Sequence, residues 1–93
     1  MSATLPATVT MREARAVVQA LEPALGDGHG ALVIDAGGLQ TFDSAAIAAL
    51  LELRRQAQAA GRTLQVSAAP ATMVELAGLY GVAELLDFQS PRA

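Results

Sequence analysis

Two rhythms of apolar positions divide this chain, a spacing of three to four residues and short unbroken runs, and the changes between them mark element boundaries. Residues 2–9 alternate weakly, predicting a short leading strand that Pro6 confines to an edge or a turn. Thr10-Met-Arg-Glu13 has the form of a capping box, with Thr10 as N-cap and Glu13 reaching back from the third helical position. Met11, Ala14, Val18, Leu21 and Leu25 recur at helical spacing, predicting a helix over 11–22 that Pro23 stops or kinks. Gly26-Asp-Gly-His-Gly30 reads as a turn.

Ala31-Leu-Val-Ile-Asp-Ala36 is a bounded apolar run of the kind that forms a strand covered on both faces. Beyond Gly37-Gly38 and the connection Leu39-Gln-Thr-Phe-Asp43 comes the longest helical pattern, Ser44 to Ala60, closed by Gly61. Residues 62–68, RTLQVSA, are the next strand. A helix opening at Pro70 or Thr72 carries Met73, Leu76, Ala77 and Tyr80 on one side and stops at Gly81. Residues 83–88, AELLDF, form either one more helical turn or a short strand. Strand–helix–strand–helix order implies parallel pairing through right-handed crossovers, hence a small α/β sandwich. With neither repeat nor linker in sight, residues 1–93 are expected to be a single domain.

The start of the long helix carries the most information. Asp43 is a good N-cap acceptor, and Phe42 and Ile47 occupy the hydrophobic-staple positions on either side of it. Ser44 is then the first helical residue, its hydroxyl exposed. At 100° per residue, Ala46, Ile47, Leu50, Leu53 and Ala57 cluster on the side that covers the sheet. Ser44, Ala48, Leu51 and Arg55 form a separate strip, small and apolar with a cation at its far end, suited to docking on a partner. A phosphate on Ser44 would sit at the positive end of the helix dipole and place about two negative charges in that strip, switching binding off.

Composition narrows the chemistry. Alanine and leucine dominate a chain that is 53% hydrophobic, and Phe42, Phe88 and Tyr80 are its only aromatics, so the core is built from small residues. The absence of cysteine excludes disulfides, zinc knuckles and thiol catalysis. A net charge of −3 gives no electrostatic footprint for nucleic acid. The longest apolar run, Ala45 to Leu51, is far too short to span a bilayer, and MSATLPATVT has no signal-peptide pattern, so a cytoplasmic protein is expected. His29 is the only histidine and lacks the companions a metal site needs. Asp35 and Asp43 have strand-end and N-cap roles, and Ser44 has neither a basic activator nor a nucleophile elbow. No catalytic residue, metal or cofactor is expected, and the chain reads as no enzyme.

The run LVIDAGGLQTFDSAAIAALLEL resembles the core of STAS domains: a strand ending in Asp, a connecting loop, then Asp-Ser or Asp-Thr opening a long helix. RTLQVSAAP and LAGLYGVAELL are similar to the MlaB-like subgroup, and the resemblance covers essentially the whole domain. It implies a STAS-like sandwich with a mostly parallel, mixed sheet of about four strands covered by helices. In the subgroup the STAS protein is a cytoplasmic subunit, peripheral to the inner membrane, bound to the ATPase of the Mla lipid-transport ABC complex that maintains outer-membrane asymmetry. Ser44 matches the residue phosphorylated in anti-sigma-factor antagonists and the threonine at the ATPase-facing site of MlaB-type proteins. The family implies that the long helix and the helix after RTLQVSA form the partner surface.

The partner-binding set is therefore Asp43, Ser44, Ala48, Leu51, Arg55, Met73 and Tyr80, with Ser44 as the phosphorylation position. The resemblance implies an adaptor for an Mla-type ATPase, with an anti-sigma-factor antagonist switched by a serine kinase as the alternative. Two departures from the family stand out. Ala46 replaces a common glycine, and the N-terminus has room for one leading strand where two are usual, leaving a sheet edge for a partner or a second copy.

Overall fold

Crossovers that are all right-handed and all step the same way across a sheet leave every helix on one face. The computed structural model has strands that step one way across the main sheet, one face of which is covered and the other open. It describes residues 2–25, 30–86 and 88–89, with Ser2 and Gln89 through their backbone alone. The elements are β1 (Ser2–Thr4), β2 (Thr8–Val9), α1 (Ala14–Leu25), β3 (Ala31–Asp35), β4 (Thr41–Phe42), α2 (Ser44–Ala59), β5 (Thr63–Ser67), α3 (Ala71–Leu79), α4 (Ala83–Leu86) and β6 (Phe88–Gln89). The main sheet has the order β1-β3-β5-β6, and β2 and β4 make a separate two-stranded ladder. Every described pair is parallel.

The register lines up Ala3, Ile34, Val66 and Phe88 across the sheet, with Leu32 beside Leu64. This is the covered face: Leu32, Ile34, Leu64 and Val66 are buried under the helices. Contrary to the expectation of a strand covered on both faces, Ala31 and Asp35 are exposed and Val33 is only half-buried. Thr63, Gln65 and Ser67 extend the open face on β5, so most of the side chains turned to water there are polar. The apolar run at 31–34 conceals this two-residue period, because Ala31 and Val33 are apolar residues on the wet side.

The expected leading strand is divided in two. Proline offers no N–H to a ladder, and around Pro6 the chain leaves the main sheet. Leu5 still donates to the Asp35 carbonyl at 2.9 Å, but Ala7 accepts from Gln40 and Thr41, and β2 continues along β4. β4 itself lies in what reads as a connection in the sequence. Helix α1 starts at Ala14 instead of 11, behind a turn at 11–13, and runs through Pro23 to Leu25 instead of ending at 22, with Leu25 buried in the core. The alternatives for 83–88 are both realised in turn, as α4 and then the start of β6.

Helices α2 and α3 end alike. Gly61 and Gly81 stand at φ of +77° and +74°, and the residue after each, Arg62 or Val82, donates back to Ala57 or Ala77 at 2.8 and 2.9 Å. These are Schellman closures, which need a residue free to adopt positive φ.

Candidate functional site

Helix α2 lies between α1 on one side and α3 and α4 on the other. Its buried residues are Ala46, Ile47, Ala49, Leu50, Leu53 and Ala57, the expected sheet-facing set with Ala49 added. Ala49 is buried as well, on a helix that packs extensively against α1, a neighbour that a single helix's periodicity does not show.

The opposite ridge is accessible. Ser44, Ala48 and Arg55 are exposed and Leu51 is half-buried against the core. At about 1.5 Å rise per residue the ridge runs roughly 16 Å along the outer surface of α2. The structure thus brings four of the expected partner residues onto one surface.

Asp43 sits at the head of this ridge in extended conformation, and its Oδ1 accepts the Ala45 N–H at 2.8 Å, the capping role expected of it. Its Oδ2 does something that local pattern does not indicate, accepting the Met11 N–H at 3.3 Å from the turn that leads into α1. A phosphate on Ser44 would therefore stand beside a carboxylate that already takes a first-turn amide. That placement favours repulsion as the physical effect of modification.

The turn into α1 is pinned from its own side. Glu13 Oε1 accepts both the Thr10 N–H, at 2.9 Å, and the Thr10 hydroxyl, while Thr10 Oγ1 accepts the Arg12 N–H at 3.3 Å. The Thr10 hydroxyl and amide donating to Glu13 hold its carboxyl below the usual carboxylate range. The Thr10–Glu13 pairing expected of a capping box is present, but in the turn ahead of Ala14 and with the Glu13 N–H on the Thr10 carbonyl, and Met11 is 80% exposed rather than packed in an apolar stripe.

At the far end, the Arg55 guanidinium is not idle. Its Nε donates to Glu52 Oε1 at 3.1 Å and its Nη2 to Oε2, and Gln56 Nε2 joins the same carboxylate at 2.8 Å. Arg55 first, and then Gln56, hold the Glu52 carboxyl down at about 2. Gln56 also donates to Glu22 of α1 at 3.0 Å, tying the two helices along their outer seam.

Met73 does not belong to a surface. It is 0% exposed and belongs with Ala77 to the hydrophobic core, so the side of α3 that carries it is core. Tyr80, the C-cap residue of α3, is exposed together with Leu79 beside it. The stripe containing Met73 and Tyr80 therefore splits, because the helix ends between its inward and outward members. His29 lies outside the described residues.

Among the described residues, no group of three or more His, Cys, Asp or Glu side chains is placed to hold a metal ion. No described helix is long and apolar enough to cross a membrane. An open apolar groove of about 500 Å³ runs between α1 and the leading strands, lined by Leu5, Pro6, Ala16, Val17, Ala20 and Leu21 among others. It is a surface cleft beside the edge strand β1, not an enclosed chamber.

A family model described as "Mlab, STAS domain" matches residues 4–87, nearly the whole chain. No curated protein matches it.

Proposed function

The chain belongs to the MlaB-like STAS domain family, a family of adaptors and regulators, and on that basis we propose that it is a non-enzymatic adaptor for the ATPase of an Mla-type ABC lipid transporter. The observation that carries the proposal is the ridge Ser44–Ala48–Leu51–Arg55, an accessible, mostly small and apolar surface on a helix whose other side is fully committed to the core. Such a helix meets a partner without rearranging its own domain. The proposed setting is the cytoplasmic side of the inner membrane, reached through the ATPase. Tyr80 and Leu79, both exposed at the end of α3, are offered as a second contact.

The test is co-purification from detergent-solubilised host membranes, followed by binding of the purified ATPase to wild type and Ser44→Arg. An arginine at the head of the ridge leaves an unpaired charge in the docked interface and should weaken binding by about a hundredfold or more, with the fold intact. Unchanged binding would sink the adaptor reading.

Ser44 itself supports a second reading. It is a serine with an exposed side chain on the first turn of α2, the position a kinase modifies in anti-sigma-factor antagonists. In that reading the partner is an anti-sigma factor with serine kinase activity. A mass gain of one phosphate after incubation with that kinase and ATP, lost in Ser44→Ala, would favour the switch. A second copy paired along the free edge of β1 is the remaining partner reading, and sedimentation of the purified protein decides it.

A further inference from the structure

Resting on the switch reading of Ser44, we propose that Asp43 relays a negative charge placed on Ser44 to the turn into α1, by releasing the Met11 N–H. The two oxygens of Asp43 serve different elements. Oδ1 caps α2 through the Ala45 N–H at 2.8 Å, and Oδ2 takes the Met11 N–H at 3.3 Å.

The second of these bonds continues a ladder. β2 and β4 pair with Thr8 beside Thr41 and Val9 beside Phe42, and Asp43 directly follows Phe42. Past Val9 and Phe42 the backbone pairing stops, and the Asp43 side chain supplies the next link between the two segments. Of the three successive N–H groups at residues 10, 11 and 12, those of Thr10 and Arg12 are taken from within the turn, by Glu13 and Thr10. Only that of Met11 depends on an acceptor from outside it.

That acceptor is the neighbour of Ser44. Consecutive Cα atoms stand about 3.8 Å apart, well inside the Debye length of about 8 Å at physiological salt. A phosphate on Ser44 seeks the same first-turn amides that Asp43 caps, and it repels the Asp43 carboxylate. The bond to Met11 is the longer of the two that Asp43 accepts, so it yields first. A charge at the start of α2 is thereby felt 32 residues earlier in the chain, at the entry to α1, with neither helix unfolding.

The experiment follows solvent exchange of the Thr10, Met11 and Arg12 amides by NMR. It uses wild type, Ser44→Glu, Ser44→Gln, Asp43→Asn and the Ser44→Glu/Asp43→Asn double variant, with thermal unfolding of each to keep local opening apart from loss of the fold. In Ser44→Glu the Met11 amide should exchange about three- to tenfold faster, the scale of one exposed hydrogen bond opposed by one like charge. Thr10 and Arg12 should change by less than about twofold, since their acceptors are local. Ser44→Gln has the size without the charge and should leave Met11 as in wild type. Asparagine keeps the cap with a single acceptor oxygen, so Asp43→Asn should speed Met11 by itself, and adding Ser44→Glu should speed it no further. The relay is overturned by unchanged Met11 exchange in Ser44→Glu, by an equal change in Ser44→Gln, or by slower exchange because Arg12 takes up the added charge. The switch reading fails separately, when the serine kinase adds no phosphate to wild type, because the glutamate variant reads the relay without any kinase.

Discussion

Arg62 and Ala24 are 38 residues apart in the chain, yet the guanidinium Nη1 of one donates to the carbonyl of the other at 2.6 Å. The same nitrogen reaches the Leu25 carbonyl at 3.3 Å, and Nε reaches that of Gly30 at 3.2 Å. Arg62 is only 4% exposed. Its backbone N–H closes α2 on Ala57 while its side chain takes the last carbonyls of α1, so one residue terminates two helices. A cation at a helix C-terminus is also favourably placed in the field of the helix.

Replacing Arg62 with methionine should therefore cost more than a surface change. It keeps much of the buried stem but leaves partly buried carbonyls without their donor, a loss of about 2–4 kcal/mol. At roughly 4–8 °C per kcal/mol for a domain of this size, melting should fall by about 8 °C or more. Arg62→Lys should recover only part of it, since an ammonium lacks the planar fork. A fall of less than about 4 °C for Arg62→Met would mean that the side chain does not hold α1 in solution.

A strained alanine gives the opposite sign. Ala68 has a φ of +57°, and it is the one residue other than glycine with positive φ among the described residues. The left-handed region costs an alanine about 1–2 kcal/mol, part of which glycine gives back in backbone entropy. Ala68→Gly should stabilise by about 0.5–1 kcal/mol in urea unfolding. Gly37→Ala should destabilise, because a Cβ there would lie 3.0 Å from Asp35 Oδ1 and 3.3 Å from the Ala68 Cβ. Part of that penalty should vanish in the Ala68→Gly background, where one of the two obstacles is gone.

Met73 and Tyr80 separate core from surface on a single helix. Met73→Ala empties a site that is 0% exposed and should cost about 2–5 kcal/mol. Tyr80→Ala, at 55% exposure, should change stability by less than about 0.5 kcal/mol. Any loss of partner binding in Tyr80→Ala then reports on contact, whereas a loss in Met73→Ala follows from unfolding. Equal destabilisation by the two would mean that Tyr80 is packed in solution.

What could be read from the sequence follows from what is local. Helix α2 was legible because its caps, its staple and its inward residues all lie within one helix length of each other. The Schellman glycines and the capping box at Thr10–Glu13 are local for the same reason. Arg62 was not legible, because its partners Ala24, Leu25 and Gly30 come from the other end of a crossover. Nor was the second oxygen of Asp43, whose partner Met11 is 32 residues away. Met11 and Met73 share helical spacing with true core positions, and tertiary placement alone put one in water and the other at the centre.

The last prediction concerns the cation at the end of the ridge. Glu52 is held at about 2 by the donated hydrogen bonds of Arg55 and then Gln56, against a value near 4.5 for an unperturbed glutamate. A carboxyl depressed in the folded state adds stability that is present above its unfolded value and is lost as pH falls through the folded one, here between about 4.5 and 2. Both partners are exposed, so screening keeps the effect on stability small, and the titration of Glu52 itself is the better measurement. Carbon-detected NMR of the Glu52 carboxyl should show a midpoint near 2 in wild type and a large rise toward 4.5 in Arg55→Gln. The rise should stop short of 4.5, because the Gln56 bond remains. For the proposed docking ridge this means that a partner carboxylate meets Arg55 only by exchanging with Glu52. Glu52→Gln should therefore tighten binding to an acidic partner surface. A wild-type midpoint near 4.5 would show instead that the pair is open in solution and that Arg55 meets its partner without that exchange.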